Sequence, residues 1–154
     1  MQGRSLGVVP GFMCVLLLAL AVFGKDAKAQ GAVDGNTIRL GGATWRLWGI
    51  EAPELRQTCK GWPAGSESRR ALERLLAAGR VQCDERGWDR DGRKLGLCRA
   101  AGRDLGAEMV AAGMAWALTR SSDYAAQERA AIDSRLGVHA HSCSKASDRK
   151  RQSR

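Results

Sequence analysis

Three short segments concentrate the side chains that could do chemistry. They are Asp34-Gly35-Asn36-Thr37, Arg46-Leu47-Trp48-Gly49-Ile50-Glu51-Ala52-Pro53-Glu54, and Asp89-Arg90-Asp91-Gly92-Arg93. Between them they hold carboxylates, guanidiniums and an amide. A carboxylate can orient a water or take its proton. A guanidinium neutralises phosphate oxygens through paired hydrogen bonds that lysine cannot make. Several oxygen donors in a loose set suit a hard divalent cation. Taken singly, each segment also has a plain structural reading. Asp34-Gly35 is a turn dipeptide, and an arginine within a strand, such as Arg46, is most often solvated. Glu51 and Glu54 lie at a strand end beside a proline, and Asp91-Gly92-Arg93 could be a hairpin tip.

The elements that must position these segments can be read from periodicity. Ala32 to Leu40 contains the Asp34-Gly35 turn and then a short strand, and Gly41-Gly42 is a hairpin-type turn. Thr44 to Ile50 alternates, with Trp45 and Leu47 on one side and Arg46 and Trp48 on the other, as a strand does. Pro53 ends it, and a polar loop to Trp62 carries Cys59. Ser66 to Ala78 is an amphipathic helix with Ala71, Leu72, Leu75 and Leu76 as its apolar stripe and Gly79 as its stop. A strand from Val81, the turn Asp89 to Gly92 and a return strand Lys94 to Arg99 make a hairpin. Asp104 caps a short helix to about Ala112, and Ser122 or Asp123 caps a third, from Tyr124 to about Leu136. Strands with interleaved helices give an α+β class, mainly β, and a small barrel accommodates several short strands with glycine-rich corners.

The chain has 154 residues, enough for one domain of ordinary size. Residues 1–29 are expected to be a signal peptide: Arg4, the apolar run Phe12 to Phe23, and Ala27-Lys28-Ala29 before cleavage at Gln30. The apolar run is short of the roughly 20 residues of a bilayer span, so the protein is expected to be exported, to a periplasm or beyond. Arg4, Lys25 and Lys28 against Asp26 take +2 of the net charge of +9 and leave +7 on residues 30–154. Such a charge favours polyanionic partners. Residues 141–154 are expected to be a basic, disordered tail, and 30–140 the folded domain. Four cysteines remain after cleavage, without zinc spacing, and an exported domain of this size points to two disulfides. Three pairings are possible. Cys83 and Cys98 flank the hairpin and are natural partners, which leaves Cys59 with Cys143.

Together, the three segments resemble the signature of the thermonuclease (staphylococcal-nuclease-like) family, roughly V-x-D-G-D-T, R-L-x-G-I-D-A-P-E and D-x-Y-G-R in that order. Gln57-Thr58-Cys59 and Gly102 to Trp116 match as well, so the resemblance runs from about Val33 to Gly137. It implies an OB-fold, a five-stranded barrel with three helices, and calcium-dependent cleavage of DNA and RNA phosphodiesters. By position, Glu54 matches the general base, and Arg46 and Arg93 match the arginines that grip the phosphate. Asn36 and Glu51 fall where the family binds calcium through aspartates. Ala52 falls where a backbone carbonyl joins them, and Asp34 lies close by. A monomer acting on nucleic acid is expected.

Three positions depart from the pattern. Asn36 supplies an amide oxygen without negative charge, which weakens cation binding. Glu51 keeps the charge on a longer side chain. Asp91 stands where the family has tyrosine and puts a negative charge near the phosphate site. A nucleic-acid-binding barrel without catalysis is the alternative, although Trp45, Trp48, Trp62, Trp88 and Trp116 read as core or loop anchors rather than a stacking stripe. A third reading is an envelope-associated protein held by its basic tail. His139 and His141 read as surface residues.

Overall fold

The computed structural model describes residues 30–118 and 123–148. The expected signal peptide, Ser122 and the last six residues of the basic tail lie outside them. The strands are β1 (Gly31–Ala32), β2 (Thr37–Leu40), β3 (Ala43–Leu47), β4 (Ile50–Glu51), β5 (Val81–Trp88), β6 (Lys94–Ala100), β7 (Arg103–Asp104) and β8 (Trp116–Ala117). The helices are α1 (Ala64–Leu76), α2 (Leu105–Ala111), α3 (Ala125–Asp133) and the short α4 (Gly137–Ala140). Strands pair in the order β1-β2-β3-β6-β5, with β7 beside β6, and β4 pairs with β8 separately. All neighbours in the main sheet are antiparallel except β3 and β6, which run parallel.

Local chemistry accounts for most of the corners. Leu40 pairs with Ala43 across Gly41-Gly42, whose φ angles of 59° and 81° are those of a two-residue primed turn. The strand expected over 44–50 breaks at Trp48-Gly49, where Gly49 takes φ 73° and redirects the chain into β4. The ring of Tyr124 lies against this point, 3.0 Å from where a Cβ on Gly49 would stand. The Tyr124 hydroxyl donates to Asp104 Oδ2 at 3.0 Å. Burial first, and then Asp104 beside it, push that hydroxyl's pKa up. The other Asp104 oxygen caps α2, accepting from the amides of Gly106 at 2.8 Å and Ala107 at 3.2 Å. One carboxylate thereby fixes both the start of α2 and the approach to α3. That helix begins after Tyr124 without a side-chain cap, so Asp123 does not serve as one.

The core lies between the sheet and the helices. Ile38, Leu47 and Ile50 from the strands meet Leu72 and Leu76 of α1 and Leu105, Met109 and Val110 of α2. The disulfides are Cys83–Cys98, across the β5–β6 register, and Cys59–Cys143, which ties the C-terminal segment to the loop after β4. Residues 141–148, assigned from sequence to the tail, therefore lie against the body. Ser144 accepts from Gln57 Nε2 at 3.0 Å, and Lys145 Nζ donates to Ala117 O at 2.9 Å. Composition identified the charge of this segment but not the partners that hold it.

Candidate active site

Three corners of the fold converge on one cleft of about 350 Å³. Asp34 and Asn36 reach it from the loop between β1 and β2, and Arg46 from β3. Glu51 comes from β4, with Ala52 and Glu54 just beyond, and Arg93 from the β5–β6 turn. All seven residues singled out by sequence line it, and Pro53, Asp89, Arg90, Asp91, Leu118, Ala146 and Ser147 complete the wall.

The β1–β2 loop is held by its own polar groups. Asn36 N donates to Asp34 Oδ1 at 2.9 Å, and Val33 N to Thr37 O at 2.8 Å. The Asn36 amide is buried. Turned so that its oxygen faces donors, it accepts from Arg46 Nη2 at 3.1 Å and Ala52 N at 3.3 Å, while its nitrogen donates to Asp34 Oδ1 at 3.0 Å. The amide thus links Arg46 to the two segments that flank it. Gly35 is required here for space and not for a left-handed turn. A Cβ on it would stand 1.9 Å from Ser68 Oγ and 2.8 Å from the Ala52 side chain.

Glu54 is exposed at the mouth of the cleft. Its backbone is fixed from two sides. Gln57 N donates to Glu54 O at 2.7 Å, and Glu54 N donates to Gln57 Oε1 at 3.3 Å. Behind it, the first turn of α1 rests on the chain at Gly65, where a Cβ would stand 2.0 Å from Glu54 O. The apolar periodicity starts the helix at Ser66, two residues after its observed start at Ala64, and assigns Gly65 no role; a glycine just inside a helix start is the available signal. Gly65→Ala is expected to destabilise the fold by about 1–3 kcal/mol through overpacking and to displace Glu54. Chemical denaturation reads the first effect. An unchanged midpoint would show that the helix moves away without cost.

Arg93 is set by the turn that carries it. Its Nε donates to Asp89 Oδ2 at 2.7 Å and its Nη2 to Asp91 Oδ2 at 2.7 Å. Asp89 Oδ1 also accepts the backbone amides of Asp91 and Arg93, each at 2.9 Å. Burial alone would raise the Asp89 pKa, but these bonds outweigh it and hold the carboxyl below its ordinary value of 3.8. Asp89 therefore stays charged into acid solution and keeps the guanidinium oriented. Asp91, one of the three departures, partners the guanidinium directly.

Glu51 is 6% exposed, and both its oxygens are engaged: Oε1 accepts from Ser147 N at 2.9 Å and Oε2 from Ser147 Oγ at 2.7 Å. No feature of the sequence linked positions 51 and 147. Among the described residues no group of three or more His, Cys, Asp and Glu side chains is placed to hold a metal. The residues that line the cleft nonetheless carry oxygens of the kind a hard cation takes. Two carboxylates, an amide and a backbone carbonyl come from Asp34, Glu51, Asn36 and Ala52. The histidines take no part. His141 stacks on Trp62 at 4.5 Å, and His139 is half-buried, its pKa lowered by that burial. Trp88 is 60% exposed and Trp116 is in the core, so the tryptophans do not share one environment.

Comparison with known proteins agrees with this arrangement. Among curated proteins, the chain is similar to "Succinoglycan biosynthesis protein ExoI" of Rhizobium meliloti (strain 1021), at 33% identity over 117 residues. That match covers 69% of this chain and spans 60% of the relative's length. The profile described as "Staphylococcal nuclease homologue" matches residues 44–140, which include Arg46, Glu51, Ala52, Glu54 and Arg93. The loop with Asp34 and Asn36 precedes the matched stretch. With this match and the sheet order above, the chain belongs to the staphylococcal nuclease homologue family and has its α+β OB-fold.

Proposed function

We propose that the protein is an exported, calcium-dependent nuclease that hydrolyses phosphodiester bonds of DNA or RNA as a monomer. The observation that carries this reading is the meeting of one exposed carboxylate and two arginines, Glu54, Arg46 and Arg93, at a single cleft. In this reading Glu54 takes a proton from a water whose oxygen adds to phosphorus. Arg46 and Arg93 donate to the phosphate oxygens as charge builds on them. The ester bond to the departing oxygen then breaks, and that oxygen takes up a proton from solvent. Asn36, Glu51, the Ala52 carbonyl and Asp34 would hold calcium, which supplies positive charge to the phosphate and a site for the attacking water. Export accords with the two disulfides. Among the described residues no helix is long and apolar enough to cross a membrane.

The test is cleavage of single-stranded DNA, duplex DNA and RNA by the disulfide-bonded protein, with calcium and with chelator. Cleavage that appears with calcium and stops with chelator is the expected result. Equal cleavage in both sinks the metal assignment.

One observation favours a second reading, a nucleic-acid-binding domain without catalysis. Arg93 is already partnered by two carboxylates, which a phosphate must compete with. Binding of a labelled oligonucleotide that survives chelation, with no cleavage at any calcium concentration, would establish it.

A further inference from the structure

Every residue from 142 to 145 is fastened to the body of the domain. Ser142 Oγ accepts from Lys60 Nζ at 3.2 Å, Cys143 is bonded to Cys59, Ser144 O accepts from Gln57, and Lys145 Nζ donates to Ala117 O. Ala117 belongs to β8, which pairs with β4, the strand of Glu51. Gln57 also accepts from the backbone of Glu54. This zipper delivers Ser147 to Glu51, where its amide and hydroxyl engage both carboxylate oxygens.

We propose that residues 144–148 are an intramolecular competitor for the cation site, a strap that must release Glu51 before a divalent cation can bind there. The inference rests on the metal assignment of the proposed function. Two hydrogen-bond donors aimed at a carboxylate offset the negative charge that a cation needs, and their positive ends repel it. The disulfide keeps the strap from drifting off. With Cys143 fixed, Ser147 returns to Glu51 as an intramolecular partner at high effective concentration. Calcium affinity is therefore set by the balance between strap and ion as well as by the donor set.

The experiment is a calorimetric titration of calcium into the full exported protein without nucleic acid. Ser147→Ala, a chain ended at Ser144, and Glu51→Gln are titrated alongside. Loss of hydrogen bonds to a charged group predicts a half-saturating calcium concentration about tenfold lower in the shortened chain, and lower by a smaller factor in Ser147→Ala. Amide hydrogen exchange of the peptide containing Ser147 should be slow without calcium and accelerate when calcium is added. If Glu51→Gln abolishes calcium binding but neither tail variant tightens it, the strap proposal is wrong and the metal assignment stands. If Ser147→Ala weakens binding, the serine supports the site and the proposal is overturned. If Glu51→Gln leaves calcium binding unchanged, the metal assignment fails, and the competition fails with it.

Discussion

In the proposed mechanism, Glu54→Gln lowers the rate of phosphodiester cleavage by about a hundredfold or more, with the fold intact. The estimate follows from the usual contributions of a positioned general base and of a single transition-state contact. The amide preserves shape and can still orient a water, but it cannot accept the proton. Because Glu54 is exposed and its backbone is held by Gln57 and by the packing at Gly65, the substitution leaves the core untouched. Thermal unfolding should shift little. Rates measured at saturating calcium with a single-stranded substrate decide the matter. A loss of less than about tenfold at unchanged stability would remove the general-base role from Glu54.

Arg93→Lys should produce a loss of similar size, about a hundredfold, for a different reason. Lysine keeps the charge but lacks the fork that can bond Asp89 and still present donors to a phosphate. Nε of Arg93 is committed to Asp89 and Nη2 to Asp91, so in the proposed mechanism the phosphate is met by the remaining guanidinium donors. Asp91→Asn separates the two partners. Asp91 is 60% exposed, and solvent-exposed ion pairs are worth at most about 1 kcal/mol. The variant is therefore expected to lower KM by no more than about fivefold and to change kcat little. Steady-state kinetics of both variants on one substrate separate the contributions. An Arg93→Lys enzyme within a few-fold of the parent would show that the turn only shapes the rim of the cleft.

The fold was legible where local chemistry is strong. Gly41-Gly42, the amphipathic stripe of α1, the Asp104 cap and the Asp89 to Gly92 turn each state their conformation within a few residues, and all are found as read. Misplacement came where a distant group decides. The strand through Trp48-Gly49 is interrupted by a glycine packed against Tyr124, more than seventy residues later. The start of α3 is fixed through the Tyr124 hydroxyl and not by an acidic cap.

The site divides in the same way. The sequence by itself determined which residue types were present and in what order, because turns and strand ends advertise their chemistry locally. It also established that Asn36, Glu51 and Asp91 depart from the family pattern. Only the tertiary structure decided what those departures touch. Asn36 bonds Arg46, Asp91 bonds Arg93, and Glu51 meets Ser147 across 96 positions of chain. The physical reason is range. Turn propensity and helix periodicity act over a few residues and leave a pattern in the chain. A hydrogen bond between remote side chains depends on the packing of β4 against β8 and on the Cys59–Cys143 tether, and leaves no local trace.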